Sequence, residues 1–249
     1  MKNVVITGGC GLIGSSFVKS LSKKNLNIFI ADLNQKKAKE LIKSIGSENV
    51  FYFNFDVTKD RSIDQTFKKI VAKYKSIDAL IHCAYPKSKQ LGTPFGRLER
   101  KYLNLEFDYH LSSTIILSQK IIKIFSKQKK GNLIFLSSIQ GISPPKFEHY
   151  FGTNMTSPIE YSALKSGIIS ITKYLAKLHK KNNIRINCIS PGGIIDNQPK
   201  KFLKNYLKST GSKGMLDPED LNSAISFLLS SSSRYINGQN IIIDDGWSL

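Results

Sequence analysis

An apolar run near the N-terminus leads through a glycine-rich loop into a helical pattern, and this combination restricts the fold more than any other stretch. Val4 to Ile6 has the composition of a buried strand. The loop that follows carries Gly8, Gly11 and Gly14. Glycines permit a tight turn and a close backbone approach, while the start of a helix offers free N–H groups to a pyrophosphate. Because the loop lies between a strand and a helix, we favour a dinucleotide-binding loop over a glycine-rich turn without a ligand.

The second predicted strand, Asn27 to Ala31, ends at an acidic residue. Asp32 follows the glycine loop by about twenty residues, where a carboxylate hydrogen-bonds the adenosine ribose of NAD and repels the 2′-phosphate of NADP. The sequence therefore favours NAD, with Lys36 and Lys37 as the argument for NADP. Asp32 is also a candidate N-cap for a helix predicted over Asn34 to Ile45.

A tyrosine and a lysine occur four residues apart at the start of a later helical pattern. This spacing places Tyr161 and Lys165 on one helix face. A phenol has an unperturbed pKa of about 10, and a nearby fixed positive charge favours the phenolate. The pair alone is weak evidence for chemistry, since a partly buried aromatic beside a solvated amine gives the same pattern.

Composition and length restrict the class of protein. A chain of 249 residues, 41% hydrophobic, is long enough for one large α/β domain, and no linker, repeat or low-complexity stretch divides it. Without a leader pattern or an apolar run of about 18 residues, we expect a cytoplasmic protein that does not enter membranes. The formal charge of +19 is spread over most helices, so nucleic acid is not expected, although a basic surface could attract a phosphorylated sugar. The three cysteines are far apart and are expected to be free thiols.

The motifs together resemble the short-chain dehydrogenase/reductase family over nearly the whole chain, from Val4 to about Gly246. The resemblance implies one NAD-binding domain over residues 1–249, with an α/β fold of the Rossmann type: a doubly wound parallel sheet of seven strands with helices on both faces. It also implies reversible hydride transfer between nicotinamide and a secondary alcohol or ketone, without a metal. In chain order it is carried by the glycine loop, Asp32, Asp56-Val57, Ser137 to Gly141, Tyr161, Lys165 and Pro191-Gly192-Gly193.

A narrower resemblance is to bacterial oxidoreductases of flagellin modification and legionaminic-acid-type sugar synthesis. It implies a substrate that is a sugar, sugar phosphate or nucleotide sugar for a surface glycan. The residues that carry it are Glu160-Tyr161, Ile189 to Ile194, Tyr235 to Gln239 and Asp244 to Gly246.

The family resemblance also implies roles for individual residues. Tyr161 would be the general acid/base, Lys165 would favour its phenolate and hold the nicotinamide ribose, and Ser138, or failing it Ser137, would hydrogen-bond the substrate oxygen. His110 falls where the family commonly keeps an Asn that holds a proton-relay water. The expected cofactor-binding residues are Thr7, Gly8, Gly11, Leu12, Ile13, Gly14, Asp32, Leu33, Asp56, Val57, Cys83, Ala84, Tyr161, Lys165, Pro191, Gly192, Gly193 and Ile194.

Two stretches depart from the family pattern. His82-Cys83-Ala84-Tyr85 stands where an Asn-rich turn is usual, and the segment Pro144 to Pro158 is longer than the family norm. This segment leaves the strand that carries Ser138 and re-enters at the helix of Tyr161, so we expect it to form a wall of the substrate site. An equal alternative is that its aromatic side chains only fasten a long loop to the sheet. The candidate substrate residues are Tyr85, Gln140, Phe151 and Asn154, with Glu148, His149 and Thr156 as further hydroxyl partners and Phe147 and Tyr150 as ring-face contacts.

Alternatives from other classes stay open. The spacing of Gly8, Gly11 and Gly14 is that of a longer branch of the superfamily, which suggests an epimerase or dehydratase that retains NAD, although such enzymes carry an added C-terminal domain. The second alternative is a non-catalytic NAD-binding regulator. Such a protein would not need the Ser, Tyr and Lys set, so the presence of this set argues against it. The resemblance further implies a homo-oligomer, a tetramer or a dimer, with helices around Arg97 to Gln128 and Tyr161 to Lys180 as interfaces. The basic stretch Asn197 to Met215 is expected to be a mostly helical substrate lid.

Overall fold

The computed structural model describes residues 2–249, and a parallel sheet forms its centre. The strand order is β3-β2-β1-β4-β5-β6-β7, with every neighbouring pair parallel. The chain builds outward from β1 to one edge and then crosses over to build the other half from β4, which confirms the doubly wound parallel sheet of seven strands that the family resemblance implied. The strands are β1 (Asn3–Thr7), β2 (Asn27–Asp32), β3 (Val50–Asn54), β4 (Ala79–His82), β5 (Gly131–Leu136), β6 (Ile184–Pro191) and β7 (Asn240–Ile243).

Helices cover both faces of this sheet. A short π-helical turn at Asp108–Ser112 joins the fourth helix to the fifth, and short 3-10 turns lie at Phe95–Arg97, Phe147–Tyr150 and Pro218–Leu221. Within residues 2–249, no helix combines the length and the apolar character needed to cross a bilayer. The helices are α1 (Leu12–Ser22), α2 (Gln35–Ile45), α3 (Asp60–Tyr74), α4 (Arg100–Phe107), α5 (Ser113–Gln128), α6 (Ile159–Leu178), α7 (Lys200–Leu207) and α8 (Asn222–Leu229).

Alternating side chains of the strands feed two cores. On β5, Leu133 and Phe135 pack against α3, α5 and α6, while Ile134 and Leu136 pack with α1, α2 and α8. Both sets are buried, which is why the strands appear as nearly continuous apolar runs. The result is a single three-layer domain of the Rossmann type.

The N-terminus of α2 corrects one sequence prediction. Asn34, and not Asp32, is the N-cap of this helix, because its Oδ1 accepts a hydrogen bond from the backbone N–H of Lys37 at 3.0 Å. Asp32 instead accepts bonds from the backbone N–H groups of Cys10 and Asn34 at 2.9 and 2.8 Å. The carboxylate is thereby fixed between β2 and the glycine loop.

The predicted lid is less helical than its sequence pattern suggests. α7 covers only Lys200–Leu207 of the stretch 197–215. The carboxylate of Asp245 accepts hydrogen bonds from the backbone N–H groups of Ser212 at 2.9 Å, Lys213 at 2.6 Å and Gly214 at 3.1 Å. These three N–H groups are held by a residue more than thirty positions away, so this part of the chain forms a turn instead of continuing the helix.

Candidate active site

A cavity of about 780 Å³ opens at the carboxyl ends of the strands, where the chain reverses the direction in which it builds the sheet. β1 lies at this reversal, with β2 on one side and β4 on the other. Ligands of open parallel sheets bind at this place because the loops after neighbouring strands diverge there. The glycine loop lines one end of the cavity, and Tyr161 and Lys165 line the other.

Backbone contacts shape the loop between β1 and α1 and leave no space for side chains. Gly8 has a φ of 65°, and a Cβ at this position would lie 2.7 Å from the Cα of Ala84. A Cβ on Gly14 would lie 2.2 Å from the carbonyl oxygen of Gly8. Gly11, the N-cap of α1, offers no side chain to the helix, and the first turn holds no acidic residue. The free N–H groups at the start of α1 therefore fit a pyrophosphate.

Asp32 and Lys37 both line the cavity near the end of β2. The two backbone bonds to Asp32 use only part of the acceptor capacity of its carboxylate, which leaves room for ribose hydroxyls. Cys10 lies beside it, and burial together with the charge of Asp32 raises the pKa of the Cys10 thiol to about 12. Cys10 is therefore a neutral wall of this end of the cavity and not a reactive thiolate.

Residues after β3 and β4 extend the cavity. Asp56 and Val57 line it, and Asp56 Oδ1 also accepts bonds from the N–H and the hydroxyl of Thr58 at 2.9 and 2.7 Å. Cys83 and Ala84 lie opposite, and burial raises the pKa of the Cys83 thiol. This arrangement fits the adenine and ribose portions of a dinucleotide.

His82 has a structural role at the end of β4. Its Nδ1 lies 2.7 Å from the hydroxyl of Thr7 and its Nε2 lies 3.2 Å from the hydroxyl of Thr114, so it connects β1 to α5. Burial, and then the charges of Lys165 and His110, lower the pKa of His82 to about 3. The side chain of Thr7 is directed into this buried contact, which explains why Thr7 does not line the cavity.

The end of the cavity that Tyr161 and Lys165 line is built from α6 and the turn after β5. Lys165 Nζ donates to the carbonyl oxygen of Leu136 at 3.0 Å and lies 5.5 Å from the centre of the Tyr161 ring. The hydroxyl of Ser137 donates to the carbonyl of Lys165 at 2.7 Å, which occupies it in joining the turn to α6. Ser138 Oγ only accepts a bond from the N–H of Gln140, so its proton stays available to a ligand. The geometry thus favours Ser138 over Ser137 as the hydroxyl that meets a substrate.

His110 lies behind the cavity wall. It is part of the π-helical turn between α4 and α5, and its ring packs against Tyr85 at a tilt of 38°, with 4.2 Å between the ring centroids. Burial, and then the charge of Lys165, lower the pKa of His110 to about 4. Tyr85 lines the cavity and separates His110 from it. The structure therefore places His110 next to the site, where it reaches Lys165 and Tyr161 only across Tyr85.

The long loop after Ser138 contributes to the site through only some of its residues. Tyr150 and Thr156 line the cavity, whereas Phe151 is 68% exposed and Asn154 is exposed outside it. His149 is buried against Phe202, Tyr206 and Trp247, with its Nε2 2.8 Å from the hydroxyl of Ser209. His149 therefore pins the loop to α7 and the C-terminal turn.

Several lining residues were not expected from the sequence. Trp247, Met215 and Tyr206 belong to a third buried cluster. All three residues line the substrate end of the cavity. The N–H of Gly193 donates to the Tyr206 hydroxyl at 2.7 Å, which ties α7 to the turn after β6. The feature of the sequence that could have drawn attention to Trp247 is that it is the one tryptophan of the chain. Its position is decided by the fold, since it is distant in sequence from every other part of the wall.

Most of the predicted site residues meet in this one cavity. Thr7, His110, Phe147, Glu148, Phe151 and Asn154 are the ones that do not line it. Those that do are Gly8, Gly11, Leu12, Ile13, Gly14, Asp32, Leu33, Asp56, Val57, Cys83, Ala84, Tyr85, Ser138, Gln140, Tyr161, Lys165, Pro191, Gly192, Gly193 and Ile194.

Comparison with known proteins identifies the class. A family model described as enoyl-(acyl carrier protein) reductase matches residues 11–248. Together with the fold and the serine, tyrosine and lysine at one end of the cavity, this match shows that the chain belongs to the short-chain dehydrogenase/reductase family, a family of oxidoreductases.

Individual relatives cover the whole chain. It is 37% identical to the post-translational flagellin modification protein A of Campylobacter coli, over 100% of this chain and 98% of that protein. It is 30% identical to the 7alpha-hydroxysteroid dehydrogenase of Bacteroides fragilis, over 100% and 95%. A crystal structure of a short-chain dehydrogenase from Leptospira borgpetersenii with bound NAD+ superimposes with a TM-score of 0.89 at 34% identity, over 100% of this chain and 93% of that one.

Proposed function

We propose that this protein catalyses the reversible NAD-dependent oxidation of a secondary alcohol on a sugar, sugar phosphate or nucleotide sugar used for surface glycans. The observation that carries the proposal is that one cavity joins the glycine loop at one end to Ser138, Tyr161 and Lys165 at the other. The first end suits the pyrophosphate of a dinucleotide and the second suits proton transfer.

Bound NAD would accept or donate the hydride at its nicotinamide. In the oxidation direction, Tyr161 as phenolate takes the hydroxyl proton of the alcohol, and Ser138 donates a hydrogen bond to the same oxygen. The Lys165 ammonium, held by the Leu136 carbonyl, supplies the positive charge that favours the phenolate. In the reduction direction the proton moves from Tyr161 to the nascent alkoxide.

The substrate class is supported by the lining of the cavity. Tyr150 offers an aromatic ring, backed by the buried Tyr206 and Trp247, and the hydrogen-bonded pair Ser157 and Gln140 offers polar groups, a combination suited to a pyranose ring. The name of the Campylobacter coli relative points in the same direction, since it refers to flagellin modification. A cytoplasmic site of action, as expected from the sequence, belongs to this proposal.

The test is turnover with a panel of amino sugars, sugar phosphates and nucleotide sugars, followed by the absorbance of reduced nicotinamide. We expect a member of the panel to raise that absorbance when its alcohol form is mixed with NAD, and to lower it when its ketone form is mixed with NADH. Tyr161→Phe should abolish turnover and leave NADH binding intact, because the ring stays while the proton is lost. A product formed with no net change in reduced nicotinamide would instead identify an epimerase or dehydratase. NADH binding without turnover of any panel member would contradict the proposed function.

Cofactor preference forms a separate part of the proposal. The fixed carboxylate of Asp32 accepts ribose hydroxyls and repels a 2′-phosphate, while Lys37 at the same end would attract one. We expect NADH to bind more tightly than NADPH and Asp32→Ala to narrow the difference. Lys37→Ala is the matched control and should widen it. Equal affinities of the unmodified protein for the two nucleotides would disprove the assignment.

The role of His110 is tested by His110→Asn. Activity should survive, because this change restores the residue that the family commonly has at this position. A complete loss of turnover in a folded variant would show that the imidazole has a chemical task of its own.

A further inference from the structure

A buried carboxylate and imidazole lie behind the wall that separates the cavity from α4. Glu106 is 2% exposed, and its Oε2 is 3.6 Å from His110 Nε2. Neither atom has a hydrogen-bond partner elsewhere in the described chain. Burying polar atoms in this way costs stability that apolar side chains of similar size would not. The pair meets the cavity lining at Tyr85, whose ring centroid lies 4.2 Å from that of His110, and at Pro86, whose backbone hydrogen-bonds the His110 ring.

Tyr85 connects this pair to the proton-transfer end. Its ring packs against that of His110 at a tilt of 38°, with 4.2 Å between the ring centroids. The rings of Tyr85 and Tyr161 form an edge-to-face pair with 5.8 Å between their centroids. Lys165 Nζ lies 5.1 Å from the centre of the Tyr85 ring, closer than its 5.5 Å to the Tyr161 ring. The ammonium is thus held by a carbonyl oxygen and by two aromatic rings.

The segment after Tyr85 is fastened at two points by buried carboxylates. Glu106 Oε1 accepts the backbone N–H of Ser88 and Glu160 Oε1 accepts that of Gly92, both at 3.3 Å. Glu160 is 2% exposed, and its Oε2, like that of Glu106, has no partner. α4 and α6 therefore fix the backbone that carries Tyr85 from both sides.

Burial and the neighbouring acidic groups keep the Tyr85 hydroxyl from acting as an acid or base itself. Burial raises the pKa of its hydroxyl most, followed by the neighbouring Tyr161, Glu106 and Glu160. Lys165 approaches its ring from α6, and Lys87 on its own segment lies 5.9 Å from the ring centre. Tyr85 consequently stays a neutral phenol.

We propose that Tyr85 is a positioning residue whose ring, backed by His110 and Glu106, fixes the Lys165 ammonium beside Tyr161. The inference rests on the proposed function, since it assigns Tyr85 a part in that same proton transfer. The aromatic face is what matters, so the ring and not the hydroxyl is required.

The test compares Tyr85→Phe, which keeps the ring, with Tyr85→Leu, which removes it. Without the ring the ammonium is less confined and favours the phenolate less. Tyr85→Leu should lower kcat about tenfold and move the half-maximal point of the pH profile for alcohol oxidation upward by about one unit. Tyr85→Phe should stay within about twofold of the unmodified protein, and nucleotide affinity should not change in either variant.

The matched control is Tyr102→Leu. Lys101 Nζ lies 4.7 Å from the Tyr102 ring, but this pair is on α4 away from the cavity, so its loss should leave kcat and the pH profile unchanged. Tyr85→Met has no aromatic face and carries the same expectation as Tyr85→Leu if the latter does not fold.

The pH at which Tyr161 ionises supplies a measurement that needs no substrate. It is obtained from tyrosinate absorbance as the difference between each protein and its Tyr161→Phe derivative. An upward shift in Tyr85→Leu supports the positioning role even if no sugar is turned over, which would contradict only the proposed function. An unshifted ionisation, an unchanged kcat, a change confined to the KM of the substrate, or an equal defect in Tyr85→Phe would each overturn the positioning role.

Discussion

Gly14 gives a sharp test of the close backbone approach in the glycine loop. Gly14 is helical, so replacing it by alanine should by helix propensity alone stabilise α1 by about 1 kcal/mol. The new Cβ would lie 2.2 Å from the Gly8 carbonyl oxygen, and Cβ atoms do not approach other atoms within 3.0 Å. The loop or the helix must therefore move by about 0.8 Å, the difference between these two distances.

The sign of the effect follows from which term is larger. Overpacking costs about 1–3 kcal/mol, and the upper end applies here because the obstacle is backbone and not a rotatable side chain. After subtracting the helix gain, we expect Gly14→Ala to lose about 2 kcal/mol of unfolding free energy, or about 4–8 °C in Tm for a domain of this size. The same displacement moves the N–H groups at the start of α1, so NADH should bind about tenfold more weakly.

Urea unfolding and NADH fluorescence titration measure the two effects. Gly167→Ala in α6 is the matched control, because its Cβ would meet the side chain of Leu111, with Cδ2 nearest at 2.7 Å, and that side chain can rotate away. Its stability should stay within about 1 kcal/mol, with unchanged NADH affinity. A Gly14→Ala protein at least as stable as the unmodified one would refute the close-approach argument. Destabilisation with normal NADH affinity would show that the contact serves packing alone.

Three further predictions concern stability, assembly and the substrate wall. Burial lowers the pKa of His82 from 6.5 to about 3, so the unfolded chain binds a proton more readily and stability should fall as pH drops below about 6.5. His82 should contribute about 2 kcal/mol of this fall at pH 5, and His110, whose pKa is lowered to about 4, a similar amount, so His82→Asn should show a shallower fall in pH-dependent urea unfolding. Light scattering at micromolar concentration should show a homotetramer. The double substitution Ile115→Glu and Tyr174→Glu should dissociate it, since these side chains are 52% and 68% exposed on the two helices expected to form interfaces. A monomeric unmodified protein would contradict this prediction. Shortening the long loop around Asn154 should raise the KM of the substrate far more than that of NAD, and an equal change in both would make the loop purely structural.

Local sequence patterns were sufficient to predict the order of the elements. The apolar run before Gly8, the apolar run of β5 and the amphipathic pattern of α3 each depend only on neighbours in the chain. The same holds for Tyr161 and Lys165, because helix geometry alone places residues four apart on one face.

Residues whose roles depend on distant partners could not be assigned from the sequence. The choice between Ser137 and Ser138 depends on the carbonyl of Lys165, which occupies the Ser137 hydroxyl across 28 positions. His149 and Phe151 are two residues apart in one loop, yet only the first is buried, because Trp247 at the far end of the chain packs there. No local pattern distinguishes these cases.

The sequence by itself thus determined the fold class, the glycine loop and the Tyr-Lys pair, since periodicity and short spacings encode them. Only the tertiary structure decided that Glu106 and His110 lie together behind Tyr85, and that Asp32 is held by the glycine loop instead of capping α2. The physical reason is that burial and hydrogen bonding are settled between segments that meet only after the sheet has formed. A side chain's partner is then chosen by proximity in space, which spacing along the chain does not specify.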